Sequence, residues 1–202
     1  VHYIIFLSNK DGVIMSFVTI ETARMILRDH YVEDLDSHHL LLSDVEVMYY
    51  LEDICTKTLK ESQENLINSI TAIEKENRDF FFFRMIHKEL NQHIGEIGFH
   101  VVNQNSKGKH VHLGYFSHKL FWGNGFISEA IKAIVEFAFV NDVYLITSGC
   151  LDEHQASKRV LEKNGFVTSL LGEKEEWHQG YKKSRVNYQL YKDCYDKEKL
   201  KL

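Results

Sequence analysis

The chain has 202 residues, 44% of them hydrophobic and 26% charged, with a formal net charge of −5. This is the profile of one soluble globular domain with a core large enough to fold alone. The acid excess argues against a binder of nucleic-acid backbone, and no apolar run approaches the roughly 18 residues of a membrane-spanning helix, so neither nucleic acid nor membrane is an expected partner.

There is no proline, so turns must be read from Gly, Asn, Asp and Ser. Residues 1–18 read as an N-terminal extension whose run Tyr3-Ile4-Ile5-Phe6-Leu7 is apolar but short, and Met15 is a candidate natural start. The domain itself is expected over 19–192, followed by a charged tail over 193–202. Residues 21–28 alternate toward a first strand. Asp34 to Tyr50 carries apolar residues at helical spacing with a polar break at Ser43-Asp44, which predicts one or two short helices. Ser62 to Lys75 repeats that spacing through Leu66, Ile67, Ile70 and Ile73.

Phe80 to Ile86 and Ile94 to Val102 read as a hairpin, and His110 to Phe116 as a further strand. The period then changes: Ile127, Ala130, Ile131, Ile134, Val135 and Ala138 share one helical face. Val143 to Cys150 is an apolar strand, and about His154 to Lys163 a helix. Asn164-Gly165-Phe166 closes that helix, glycine taking the left-handed cap position. Phe166 to Leu171 and Arg185 to Lys192 read as strands joined by a polar loop with Trp177, His178 and Tyr181. The expected class is α/β (α+β): one mixed, mostly antiparallel sheet of about seven strands with about four helices.

The segment with chemical content is His118 to Ala130, between a strand and the long amphipathic helix. Gly123 and Gly125, one residue apart at a helix start, let backbone amides approach an anion, and the helix dipole favours phosphate there. A Gly-x-Gly turn alone is equally a structural device. In its setting, however, Trp122-Gly123-Asn124-Gly125-Phe126-Ile127-Ser128-Glu129-Ala130 resembles the pyrophosphate loop of the Gcn5-related N-acetyltransferases (GNAT), in the form used by the RimJ/RimL-type branch. Glu21 to Arg28 is similar to that branch's first-strand signature, and Ala156 to Phe166 to its late helix and cap. Lesser echoes are Leu42 to Met48 and Ile94 to Gly98.

The resemblance implies a sheet splayed between the strands His110–Phe116 and Val143–Cys150, with acetyl-CoA in the wedge. Its pantetheine arm would pair near Tyr115, Phe116 and Ser117. Amides of Phe121, Trp122, Gly123, Asn124, Gly125 and Phe126 would hold the pyrophosphate. His154 stands where the family usually has an Asn against the cofactor, and Leu120 where the superfamily often has Gln or Arg. Ser157 matches a serine near the sulfur and is the candidate proton donor; a helix N-terminal serine satisfying free amides is the plainer reading. His112 and Glu96 are candidate bases, His112 sharing a strand face with His110 and Glu96 with His100.

No metal is expected, because His38-His39 and His110-x-His112 lack a converging third ligand in sequence. Three widely separated cysteines, Cys55, Cys150 and Cys194, form no disulfide framework. With no recognisable signal peptide, they support a cytoplasmic location. Cys150 reads as a buried thiol rather than a nucleophile.

The expected activity is acetyl transfer from acetyl-CoA to a primary amine, a protein N-terminal α-amino group being one acceptor. Antibiotics, polyamines and amino acids remain as small-molecule alternatives. A non-catalytic acyl-CoA sensor is the rival from another class. A nucleotide-binding reading fares worse, since Ser128 stands where a third glycine is needed. A homodimer is a candidate state for such a chain.

Overall fold

The structure, a computed structural model, describes residues 2–10, 13–169 and 174–199. The first half runs β1 (His2–Lys10), β2 (Val13–Glu21), β3 (Met25–Arg28), α1 (Leu35–Leu42), α2 (Leu59–Ile73), β4 (Phe80–His87) and β5 (Gln92–Asn105). The second runs β6 (Gly108–Ser117), α3 (Phe126–Val140), β7 (Val143–Leu151), α4 (Gln155–Lys163), β8 (Val167–Thr168), β9 (Lys174–His178), β10 (Tyr181–Tyr191) and α5 (Lys192–Lys199). Short 3₁₀ turns occupy Val32–Asp34, Val47–Tyr50 and Lys119–Phe121. Among the described residues one sheet contains every strand, in the order β1-β2-β3-β4-β5-β6-β7-β10-β8 with β9 also on β10, and only β6 and β7 pair in parallel.

Ten strands and five helices among the described residues exceed the seven and four expected from sequence. The additions have local causes. The opening apolar run pairs with residues 13–21 as a hairpin, so β2 crosses residue 18 without a break. The expected strand 21–28 is divided by a turn at Thr22, whose hydroxyl accepts from the Met25 amide at 2.9 Å. The expected polar loop around Trp177 is instead the β9–β10 hairpin. Gln179 (φ 48°) and Gly180 (φ 78°) form its two-residue turn, and positive φ at both positions suits the strand twist. Of the expected strand 166–171 only Val167–Thr168 forms, and residues 170 and 171 lie outside the described part.

Helix ends follow their sequence signals. Thr58 caps α2 by accepting from the Glu61 amide at 3.2 Å, while the Glu61 carboxylate accepts from the Thr58 amide at 3.1 Å. At the end of α4, Gly165 takes φ 82°, and the Gly165 and Phe166 amides donate to the carbonyls of Glu162 and Leu161. Phe166 is buried over that cap.

The pleat sorts β5 and β6 onto two faces. Ile97, Phe99, Leu113 and Val111 point to the side covered by α3, where Ile131, Ile134 and Phe137 are buried. Burial of each such side chain contributes about 1.5–3 kcal/mol. Glu96, Phe116 and His112 point to the other side, where Leu41, Leu42, Val47 and Met48 of the α1 region form a smaller cluster with Phe116. The cofactor expectation and the acceptor expectation therefore meet where β6 can present both faces at once.

Candidate active site

The parallel ladder between β6 and β7 runs from Lys109↔Val143 to His112↔Thr147 and stops there, although β6 continues to Ser117 and β7 to Leu151. Beyond that rung the strands part. In the antiparallel ladder with β5, His118 donates to Ile94, so the even-numbered residues of β6 exchange bonds with β5. The main-chain groups of Leu113, Tyr115 and Ser117 therefore face the gap. The Leu113 carbonyl accepts from Ser148 Oγ at 3.0 Å and the Ser117 carbonyl from Trp122 Nε1 at 2.8 Å. Tyr115, between them, presents its main chain to a cavity of about 510 Å³. A volume of that order suits a small-molecule or cofactor site.

The expected cofactor residues gather on this cavity. Tyr115, Phe116 and Ser117 line it from β6, and His154 and Ser157 from the start of α4. Phe121, Trp122, Gly123, Gly125 and Phe126 line it from the loop, joined by Ile127 and Ser128, which were not expected as cofactor contacts. Asn124 differs: its side-chain amide turns back onto the Trp122 carbonyl at 3.0 Å. Gly123 (φ 74°) and Gly125 (φ 79°) hold left-handed conformations that side-chain-bearing residues resist. A Cβ at Gly123 would meet nothing within 4 Å, so the loop is open toward the cavity. Gly125 caps α3 and its carbonyl accepts from Glu129, which leaves the amides of Phe126, Ile127 and Ser128 directed forward without helical partners. This is an anion cradle by geometry.

A bracket across the fold keeps the cradle in shape. Arg24 Nη1 donates to the Asn124 carbonyl at 3.0 Å and Arg24 Nε to Glu129 at 2.7 Å, with the guanidinium 4.2 Å above the Phe126 ring. The sequence reading quoted both Arg24 and Glu129 in its motifs without joining them.

Two hydroxyls meet at the mouth of the splay. Ser157 Oγ lies 2.7 Å from the Tyr115 hydroxyl, and both residues line the cavity. Burial pushes the Tyr115 phenol well above its ordinary pKa, so it stays protonated. Burial also raises the neighbouring Cys150 thiol, against the opposing hydrogen bond of Ser157, which keeps it a neutral wall residue. Tyr115 was expected only as a main-chain contact. Strand alternation points its ring to the α3 side, where α4 begins, and that was the available signal.

The two candidate bases separate. His112 lines the cavity at the last paired rung, its Nδ1 3.3 Å from Thr147 Oγ1, which also meets His110 Nε2 at 2.9 Å. Glu96 does not join it. The β5 pleat sends Glu96 beneath α1, where it is 1% exposed and 2.6 Å from His38 Nδ1, with His93 and His30 at 3.5 and 3.7 Å. A carboxylate sealed under a helix cannot reach an acceptor in the cleft, and the expectation of Glu96 as base is corrected accordingly. Burial disfavours charge on both members of the His38–Glu96 pair. The contact with Glu96 outweighs this for His38 and raises its pKa, while His30 and then His38 outweigh it for Glu96 and hold its pKa down at about 2. The premise of the metal expectation also changes: His38 has converging partners in space, for it meets His30 and Glu96 with donor atoms all within 4.8 Å.

Of the far wall, the sequence pointed to the last loop through Trp177 and Tyr181 but not to Tyr49 or Tyr50. Tyr50 stacks on His154 at 4.0 Å, and His178 of β9 lies 5.1 and 5.9 Å from the rings of Tyr49 and Tyr50. His178 Nδ1 is 3.1 Å from Glu52. Burial lowers the His154 pKa and keeps its ring neutral for stacking. His154 thus faces the wall as well as the cavity. Tyr181 is 71% exposed, and the Trp177 side chain lies outside the described part.

Comparison with known proteins agrees with this geometry. The acetyltransferase (GNAT) domain family matches residues 24–167. An uncharacterized N-acetyltransferase, p20 of Bacillus licheniformis, is 30% identical over 125 residues, covering 61% of this chain and 67% of that protein. RimL, a ribosomal L7/L12 alpha-N-protein acetyltransferase solved with coenzyme A, superposes with a TM-score of 0.75 at 18% identity, covering 87% of this chain and 99% of that one. Spermidine N-acetyltransferase from Vibrio cholerae, solved with CoA and spermine, gives 0.74 at 17% identity, over 86% and 99%. The splayed sheet, the glycine cradle and the match over most of the chain lead to one conclusion: the protein belongs to the GNAT acetyltransferase family and is an acyl-CoA-dependent N-acetyltransferase.

Proposed function

We propose that the β6–β7 cleft binds acetyl-CoA and that the enzyme acetylates a primary amine, with a protein N-terminal α-amino group as the preferred acceptor. The observation that carries this reading is the Tyr115–Ser157 hydroxyl pair beside a splay where β6 and β7 no longer pair with each other. The residues fit the cofactor: the open Gly123–Gly125 cradle matches a pyrophosphate, and the β6 edge at Tyr115 matches an extended, amide-bearing arm. Acetyl-CoA supplies an activated acyl thioester when bound there.

The chain's own groups then act on protons and position. His112 takes the proton of the acceptor ammonium, directly or through water, from its place on the cleft wall. Ser157 directs its hydroxyl hydrogen bond at the departing sulfur, which leaves as a thiolate, and Tyr115, which keeps its proton, holds Ser157 Oγ in place at 2.7 Å. Tyr50, His154 and His178 close the acceptor side with aromatic surface.

The preference for a singly charged amine rests on the carboxylates around that side, each of which already holds a partner. Glu46 pairs with Lys119 at 2.7 Å, Glu153 with Lys183 at 2.7 Å and Glu52 with His178 at 3.1 Å. A polyamine site would keep such charges for its ligand. The test is thiol release from acetyl-CoA with N-terminal peptides, polyamines, amino acids and aminoglycosides as acceptors. Stimulation by peptides alone supports the reading, and stimulation by polyamines alone replaces it with small-molecule acetylation. Binding of acetyl-CoA without release for any amine overturns the acceptor assignment in favour of a sensor. Among the described residues no helix is long and apolar enough to cross a membrane, and the proposed partners are confined to cofactor and acceptor.

A further inference from the structure

Among the described residues a buried group of ionisable side chains lies outside the cleft, under α1. Glu96 and His93 come from β5, His38 from α1 and His30 from the link after β3. Their side chains are 0% exposed for His30, 1% for His38 and Glu96, and 3% for His93. Arg28 grips the nearby Asp34 with both terminal nitrogens, at 2.7 and 2.8 Å, and Arg84 approaches it at 3.5 Å. Glu96 is thus left to the histidines.

Within that group His30 is anomalous. Neither of its ring nitrogens has a hydrogen-bond partner, although each unsatisfied buried polar group costs about 1–3 kcal/mol. Its Nε2 stops 3.7 Å from Glu96 Oε2. That separation is too long for a hydrogen bond. It is close to the roughly 3.3 Å that separates two donor atoms sharing a tetrahedral zinc ion.

His38 supplies a second observation. Its Nε2 faces the Asn65 carbonyl oxygen at 3.2 Å and so donates there. An outer partner of this kind fixes the tautomer of a metal-bound histidine and turns the other nitrogen's lone pair inward. That other nitrogen, Nδ1, faces a Glu96 oxygen at 2.6 Å, and two acceptors that close require a positive species between them. A proton meets the requirement for His38 and Glu96 but leaves His30 with nothing. A cation held jointly by His38, Glu96 and His30 gives all three a partner.

We propose that His30, His38 and Glu96 bind a divalent cation of the zinc class, while His93 Nε2, which donates to the Gly95 carbonyl at 3.0 Å, stays outside the donor set. Two imidazoles and a carboxylate are a donor set for zinc rather than for magnesium or calcium, which prefer oxygen. Binding requires the His38–Glu96 contact to open by roughly 0.7 Å toward the ligand spacing of a tetrahedral centre. The site has no exposed position, so its role is structural. It clamps α1 to the sheet and thereby fixes the Val47–Tyr50 turn that lines the cleft. This proposal is independent of the acceptor assignment.

The experiment is expression of the full chain in minimal medium supplemented with Zn²⁺ or Co²⁺, followed by chelator washing and elemental analysis of the folded, purified protein. One equivalent of metal is expected, with the intense visible bands of tetrahedral Co²⁺ in the cobalt form. His30→Gln should lose both signals. The double variant His110→Gln/His112→Gln, which removes the paired histidines of β6, should keep them. Folded wild-type protein that is metal-free under full supply overturns the proposal, whether or not His30→Gln folds. So does metal retained by folded His30→Gln, or metal lost only with His110 and His112.

Discussion

The two walls of the cleft, one proposed for the cofactor and one for the acceptor, are built in different ways. The cofactor wall is mostly main chain: the edge of β6 at Tyr115, the amides at the start of α3, and two glycines at positive φ. The acceptor wall is side chain, assembled from the Val47–Tyr50 turn, the start of α4 and the β9–β10 hairpin. Main-chain sites need particular residues only where the backbone must bend, so they leave short contiguous motifs. Walls of side chains can be assembled from any segments the fold brings together, and they leave no such mark.

The comparison can be broken most sharply at the hydroxyl pair. Tyr115→Phe with Ser157→Ala should lower kcat by roughly 100-fold or more while leaving acetyl-CoA affinity within about twofold, measured by thiol release and calorimetry. Single variants that each lose nearly as much as the pair would show that the two hydroxyls act as one unit. Additive losses would separate them.

The next effect concerns the charges beneath the acceptor wall. Burial pushes the Asp34 carboxyl upward, but Arg28 and the Tyr31 amide outweigh it and hold the pKa at about 2, against 3.8 when free. Because the folded value is depressed, this stabilisation is complete above about pH 4 and lost as pH falls through about 2. Asp34→Asn should therefore cost about 2 kcal/mol in denaturant unfolding at pH 7. The gap to wild type should close toward pH 2, and a pH-independent gap would show that Asp34 acts through packing instead.

On the cofactor side, Gly125→Val forces a branched residue into φ 79°, at a cost of about 1–2 kcal/mol. Acetyl-CoA should bind roughly tenfold more weakly by calorimetry, with the acceptor KM unchanged. The smallest effect is expected from Tyr50→Ala, which removes the ring stacked on His154. It should raise the acceptor KM by roughly two- to tenfold and spare acetyl-CoA affinity, as loss of one aromatic contact allows. Equal damage to both would mean that the walls are not separable.

The same contrast explains what could be read from the chain before its fold was known. The long helix, the glycine cradle and the Gly165 cap were legible because each depends on neighbours in sequence. The divided strand at Thr22 was not, since one side-chain hydroxyl bonding a main-chain amide decides it. Glu96 was misassigned because alternation gives a strand face and not what covers that face; α1 does, from 58 residues away. The β9–β10 hairpin was missed because its Lys- and Glu-rich first strand has weak β propensity and depends on a Gln-Gly turn. Tyr49, Tyr50 and His178 carried no pattern at all until the hairpin and the turn met.

Arg24 joins the first strands to α3, bonding Glu129 across a separation of 105 residues. A cradle shaped by so distant a residue cannot be completed by local folding of residues 118–130, and a peptide of that segment should lack it. The cradle takes its shape only when the first strands have docked against α3, so under the proposed assignment the cofactor would recognise the finished tertiary structure and little before it. By mass action, a ligand that binds only the finished state stabilises the whole molecule: at 100 times its dissociation constant, by about 2.7 kcal/mol. In the cell, the supply of acetyl-CoA would then set how long the enzyme survives as well as how fast it works.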